Sequence, residues 1–325
     1  MPMVPPKHAV ERTSQRLKLR DLRILMTVVE CGTMAKAAEQ LAVSQPVVSK
    51  TISDMEHAVG VRLLDRSQRG VVPTAYGRAL IKRGIVIFDE MKQGLREIEF
   101  LSDPATGEVS VGATAPITAA IVAPALDQLC RQYPRMRFNI VVADSALLFA
   151  ELEARNIDFV ISRISERVPD HHDAEVLFHD ELKVVTGSKN PMARRRSIAL
   201  TDLINDHWIL SPPGSNLRAL QAAVFRASGL EPPSPAVTIT EYQLRLELLA
   251  TNRLLTIVPG FSIVLPRPRA GVMALPVKLR LAPEPVCIIA LKNRSLSPAA
   301  QTFIERVREG TRSLRPTIPR HRPRR

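Results

Sequence analysis

Apolar residues in the first part of the chain recur at helical spacing. Leu22, Leu25, Met26 and Val29 fall at i, i+3, i+4 and i+7, which predicts an amphipathic helix from Leu19 to Gly32. Thr33 is suited to cap a second, short helix, MAKAAEQLA, whose Ala37, Ala38 and Leu41 form a small-residue face that another helix can approach closely. A proline then stands two residues after a serine in VSQPVVSK. Inside a continuous helix it would cost about 3 kcal/mol through its missing N–H and ring clash. The conflict vanishes if a third helix starts there, with the Ser44 hydroxyl accepting from a backbone N–H two or three residues on and Pro46 in the first turn, where N–H groups lack intrahelical partners. This helix turns Val48, Ile52 and Met55 inward and leaves Gln45, Pro46, Ser49, Lys50 and Ser53 on the other side.

Two short helices joined by a tight turn, the second with a polar face, form the pattern of a helix-turn-helix. VRLLDRS and GVVPT follow as two short strands with Arg66, Gln68 and Arg69 at their tip. Beside the third helix this basic hairpin reads as a wing able to reach phosphates or a minor groove, and a solvated charged turn is the weaker reading even for the hairpin alone. From Thr74 to Leu101 a long helical stretch carries Leu80, Ile87, Met91, Leu95, Ile98 and Leu101 at spacings of three, four or seven. A three-helix domain cannot bury such a stripe, so it predicts pairing with a second copy. Gly77, Gly84 and Gly94 weaken the helix as a rigid rod, and SDPATGE breaks it, as a hinge from Ser102 to Glu108.

Beyond Glu108 strand and helix signals alternate. EVSVGAT, FNIVVAD and IDFVISR are strands, and helices are expected from Ile117 to Tyr133 and in SALLFAELEARN. A second series, ELKVVTG, HWILSPP, AVTIT, LLTIVPG and VMALPV, is separated by helices around Ser197–Asn205, Asn216–Ser228 and Glu241–Thr251; EPVCIIALKN and the helix SPAAQTFIERVREG close the body. AEVLFHDELKVV is a candidate crossover between two lobes, and ligands are expected at the carboxyl ends of the strands.

A chain of 325 residues suits two or three units, and 45% hydrophobic residues with near-zero mean hydropathy fit a globular protein. The N-terminus MPMVPPKHAVERTSQR has no signal-peptide core and no apolar run is long enough to span a membrane, so the expected location is the cytoplasm. Cys31, Cys130 and Cys287 give neither a disulfide framework nor a zinc pattern and are expected to be buried. The net charge of +13 is uneven: +5 over residues 1–101, +2 over 102–310, and +6 over the last 15, which hold six arginines and no acid. A polyanion would meet the N-terminal part. The proline-rich tail RSLRPTIPRHRPRR is expected to be a disordered solubilising segment rather than a binding arm.

These residues resemble the LysR-type transcriptional regulators. The resemblance is carried by Ala37, Ala38, Leu41, Ser44, Gln45, Pro46, Ser49, Ile52, Glu56 and Gly60, followed by LLDRSQRGVVPTAYG, and continues by layout through the βαβ series. It implies an α/β chain with a flexible arm at 1–18, a winged helix-turn-helix at 19–74, a dimerising linker helix at 75–102, a two-lobed effector domain similar to periplasmic binding proteins at 108–310, and a basic tail at 311–325. It also implies a homodimer assembled into a tetramer, operator DNA and a small-molecule effector as partners, and RNA polymerase as a further candidate partner. Ser44, Gln45, Pro46, Ser49 and Lys50 fall where the family's recognition helix meets DNA. Gln45 can pair with an adenine edge and Pro46 can touch a thymine methyl. Lys50 stands where arginine is common, so its preference is expected to be looser. Thr33, Arg66 and Arg69 suit phosphate contacts.

The family's effector cleft would bring together Thr114, Pro116 and Ile117, Ser145, Arg163, and from the other lobe Ser211 and Pro259. Two hydroxyls, a helix N-terminus and a fixed positive charge suit a small organic anion. Thr114 and Ser145 fit a simple helix-capping role equally well. An enzyme is the weaker reading, since no phosphate-binding, nucleophile-elbow or metalloprotease motif occurs and nothing requires a cofactor. His171, His172 and His179 with Asp170, Asp173 and Asp180 match no structural zinc spacing and are expected to form a polar surface loop. A non-specific architectural DNA protein would need a dominant basic surface, which the balanced middle lacks.

Overall fold

The computed structural model describes residues 16–67, 70–164, 168–264 and 270–314. The expected N-terminal arm up to residue 15, Arg69 and the basic tail beyond residue 314 lie outside them. The chain forms two compact units, residues 1–92 and 93–325.

In the first unit, α1 (Leu19–Cys31), α2 (Met34–Gln40) and α3 (Gln45–Val59) enclose a core of Leu22, Leu25, Val28, Ala37, Val48, Ile52 and Met55. Gly32 ends α1 in the left-handed region, as the sequence predicts, and Gly60 does the same for α3. Thr33 caps α2 through the Lys36 N–H. Ser44 is the N-cap of α3 and Pro46 lies in its first turn, but the Ser44 hydroxyl makes no capping bond; its carbonyl takes the Val47 and Val48 N–H groups instead. The wing is an antiparallel hairpin of β1 (Leu64–Ser67) and β2 (Gly70–Pro73). The long helix α4 runs from Ala75 to Ser102, and the boundary between the units falls inside it. Its side chains Ile87, Met91, Leu95, Ile98 and Leu101 are exposed, whereas Leu80 packs on the first unit's core.

The second unit contains two sheets. The first lobe has the order β4 (Arg135–Val142), β3 (Thr106–Ala113), β5 (Phe159–Arg163), β12 (Glu284–Leu291), β6 (His172–Asp180), with β4, β3 and β5 parallel. Successive side chains point to opposite faces, so Ile161 and Ile288 meet Leu129 and Phe303 on one side while Val160 and Ile289 meet Leu148 and Leu152 on the other. In the second lobe β7 (Leu182–Gly187) lies between β10 (Leu255–Pro259) and β11 (Val272–Ala274), with β8 (Ile209–Leu210) and β9 (Val237–Thr238) paired beside β10. β6 belongs to one sheet and β7 to the other, so the expected crossover is there. The final helix, Pro298–Thr311, returns to the first lobe.

The helix expected from Ile117 to Tyr133 is interrupted. Ala115–Ile117 (α5) leads into a π-turn at Thr118–Val122 before α6 (Ala123–Gln132). Pro124, without an N–H, cannot continue a regular ladder, and the wider turn accommodates it. The helix expected around Ser197–Asn205 is a single 3₁₀ turn, Leu200–Leu203. The histidine segment is not a loop: His172 is buried at the start of β6. Only Cys287 is fully buried; Cys31 is half-buried and Cys130 is exposed on α6, so for these two the expected burial was wrong.

Candidate nucleic-acid interface and ligand cleft

The inward stripe of α3 determines its outward one. With Val48 and Ile52 fully buried, Ser44, Gln45, Pro46 and Lys50 are exposed and Ser49 is half-buried along one face. The wing is fastened to this helix by backbone groups: Glu56 accepts from the Leu63 and Leu64 N–H groups at 2.8 and 3.1 Å. Thr74 donates its N–H to Leu63 O, and Val71 donates to Gly32 O at 2.8 Å. A side chain at position 70 would meet the Gly32 carbonyl at 2.7 Å, so the close approach requires glycine. Arg66 is exposed on β1. The result is a row of hydrogen-bonding side chains on a helix beside a hairpin that carries a cation.

In the second unit the carboxyl ends of β3, β4 and β5 lie along one edge of the first sheet, which brings Thr114, Ser145 and Arg163 to that edge. Thr114 is the N-cap of α5 without a side-chain bond, Pro116 is half-buried and Ile117 buried. Ser145 does not cap its helix, since Asp144 holds that place; its hydroxyl is 3.0 Å from that of Ser162. Arg163 is not a free charge. It pairs with Asp180 and lies 3.6 Å from Glu284. Asp180 also accepts from the N–H groups of Gly260 and Phe261, which follow Pro259, so this carboxylate joins the two lobes. Burial pushes the Asp180 pKa up, against the pull of Arg163 and the two N–H groups. A pocket of about 290 Å³ opens beside it, lined by His179, Glu181, Lys183, Phe261 and Val264.

The charge expected at Arg163 stands instead at Arg245, on the helix Tyr242–Ala250 of the second lobe. Its side chain is 2% exposed, and one nitrogen, Nη2, donates to Ser211 Oγ at 2.9 Å and Ile239 O at 2.8 Å. Nε and Nη1 have no hydrogen-bond partner, and among the described residues no carboxylate pairs with it. Burial draws its pKa down, offset in part by Tyr242 and Glu241. Ser211, at the end of β8, is itself buried. Tyr242, Leu246 and Leu249 of the same helix belong to a buried cluster with Val185, Val258 and Ile263, against which Ala115 and Ala119 of the first lobe also pack. The sequence carried a signal: Arg245 sits within the stripe Tyr242, Leu246, Leu249, where an apolar residue is expected.

Comparison with known proteins agrees with both parts. Residues 19–78 match the bacterial regulatory helix-turn-helix of the lysR family, and residues 102–312 match the LysR substrate binding domain. The HTH-type transcriptional regulator GbpR of Azospirillum brasilense is 31% identical over 299 residues, covering 90% of this chain and 86% of that protein. GbpR of Rhizobium radiobacter is 31% identical over 238 residues, covering 71% and 78%. The crystal structure of CbnR, a LysR family transcriptional regulator, superposes with a TM-score of 0.59 at 21% identity over 91% of this chain and 99% of that one. The two family models together span residues 19–78 and 102–312, with the helix-turn-helix followed by the two-lobed α/β body seen here, and the chain belongs to the LysR family of transcriptional regulators.

Proposed function

We propose that this regulator senses a small organic anion held between the lobes at Arg245, and that Gln45, Pro46, Ser49 and Lys50 read operator bases while Thr33, Ser44, Arg66 and Arg69 engage phosphates. The observation that carries the effector reading is the Arg245 guanidinium, buried with two nitrogens unpartnered. An uncompensated buried cation costs several kcal/mol, and a carboxylate ligand would offset that cost with charge-assisted hydrogen bonds. Thr114 and Ser145 supply hydroxyls on the opposite lobe; Arg163, neutralised by Asp180, is the poorer partner. Arg245 and Ser211 are shut off from solvent, so entry requires the lobes to part. An anion that binds one arrangement better then shifts the population and with it the DNA-bound state.

The exposed stripe of α4 supports a dimer through that helix, and a pair of such dimers is the tetramer expected of the family. Contact with RNA polymerase and a cytoplasmic location complete this reading; among the described residues no helix is long and apolar enough to cross a membrane. Calorimetric titration with a panel of small carboxylates and their neutral amides tests the effector class. A carboxylate should bind where its amide does not, and Arg245→Met should weaken binding at least 30-fold, about 2 kcal/mol for a charge partner removed. A neutral ligand bound equally by both proteins would overturn the anion reading.

A further inference from the structure

We propose that Glu153, His171 and His172 bind a divalent transition-metal ion at the edge of the first lobe. Glu153 is the last residue of the helix Ser145–Glu153, His172 is the first of β6, the edge strand of its sheet, and His171 is in the turn before it. Their ligand atoms lie within 4.8 Å of one another. In a regular strand two consecutive side chains point to opposite faces, but His171 precedes the strand, and the two imidazoles stand side by side with centroids 4.4 Å apart.

The second observation is the state of His172. Its side chain is 2% exposed, and neither ring nitrogen has a hydrogen-bond partner. Nε2 is nonetheless 3.1 Å from Glu153 Oε1, near enough for a hydrogen bond but not aligned for one. His171 Nε2 meets the same carboxylate oxygen. Around a tetrahedral ion with bonds of about 2.0–2.1 Å, ligand atoms sit roughly 3.3–3.5 Å apart, and small rotations of the two exposed side chains bring a set already gathered within 4.8 Å to that spacing.

Two imidazoles and a carboxylate favour Zn²⁺, Co²⁺, Ni²⁺ or Cu²⁺ over the oxygen-seeking Mg²⁺ and Ca²⁺. His171 at 60% and Glu153 at 46% exposed leave the remaining coordination positions open to water. The ion would tie the end of a covering helix to the sheet's edge strand across the cluster of Leu148, Leu152 and Leu291. The site is separate from Arg245, which lies in the other lobe.

The test is calorimetric titration of the chelator-stripped full chain with zinc chloride, repeated with cobalt chloride while recording visible absorption. One equivalent should bind, with the intense visible bands of low-coordinate Co²⁺. Glu153→Gln and His171→Ala, both at exposed positions, should each weaken binding at least tenfold while leaving the metal-free thermal midpoint unchanged. No binding to the wild-type chain, or equal binding by the wild type and both variants, would overturn the site.

Discussion

Asp158 holds together three parts of the effector-binding body, and its removal has a calculable effect. The carboxylate is 2% exposed and accepts from Arg96 Nη1 at 3.2 Å, Arg294 Nη2 at 3.3 Å and the Ser110 N–H at 2.8 Å. Arg96 comes from the last turns of α4, Ser110 from β3 and Arg294 from the segment after β12. Both guanidinium groups are almost wholly buried. Asp158→Ala therefore leaves two buried cations with reduced compensation, and breaking such a pair from one side costs about 3–5 kcal/mol. Glu108, half-exposed and 3.0 Å from Arg96, softens the loss without replacing it. With a urea dependence of about 2–3 kcal/mol/M, the unfolding midpoint should fall by about 1–2.5 M. The assay has a built-in reporter. Trp208 is the one tryptophan of the chain and is fully buried in this body, so its fluorescence follows the body and not the DNA-binding unit. The triple variant Asp158→Leu, Arg96→Met, Arg294→Met removes all three charges together and should recover most of the stability. An unchanged midpoint in Asp158→Ala, or a triple variant no better than the single one, would refute the argument.

Lys50→Ala should lower the slope of log affinity against log salt by about one unit if Lys50 meets phosphate; an unchanged slope in filter binding removes it from that role. Ile87→Asp with Met91→Asp, at positions 43% and 44% exposed, should give a folded monomer that binds operator weakly, and an unaltered dimer mass in light scattering would contradict pairing through α4. Gly77→Ala places a methyl 2.0 Å from the Leu63 carbonyl and should destabilise the helix-turn-helix by about 1–3 kcal/mol. Faster amide exchange in α1–α3 checks this, and wild-type protection would show that the backbone yields.

The first unit was legible because its signals are local. Gly32, Gly60, Thr33 and the SQP run each mark a helix end within a few residues, and the stripe Val48, Ile52, Met55 orients α3 without any knowledge of its neighbours. The α/β body was legible as alternation, since a strand buried on both faces is a short apolar run wherever it lies. What failed was pairing between distant residues. Arg163 looked like a free charge because Asp180 and Glu284 are far off in sequence, and Glu153 was absent from the histidine set because a helix end 18 residues upstream supplies it. The same applies to burial: Cys130 sits in a helix, but on its solvent side, and one helix's periodicity in an α/β layer does not reveal which face is covered. Arg245 could have been found, since a charge in an apolar stripe asks for a partner. The π-turn at Thr118–Val122 was signalled by Pro124 and misread as an ordinary helix.

The wing's attachments bear on how the protein meets DNA. The Glu56 carboxylate and the Gly32 and Leu63 carbonyls hold both strands of the hairpin by accepting from backbone N–H groups, so its conformation is fixed by the folding of the unit and not by the arrival of a duplex. No ordering entropy of these strands is then deducted from the binding free energy, and Arg66 is presented at a constant offset from Gln45 and Lys50. Recognition by such a unit is close to rigid docking. Its association rate should respond to ionic strength through the encounter of charges, while amide exchange in β1 and β2 stays the same with and without operator.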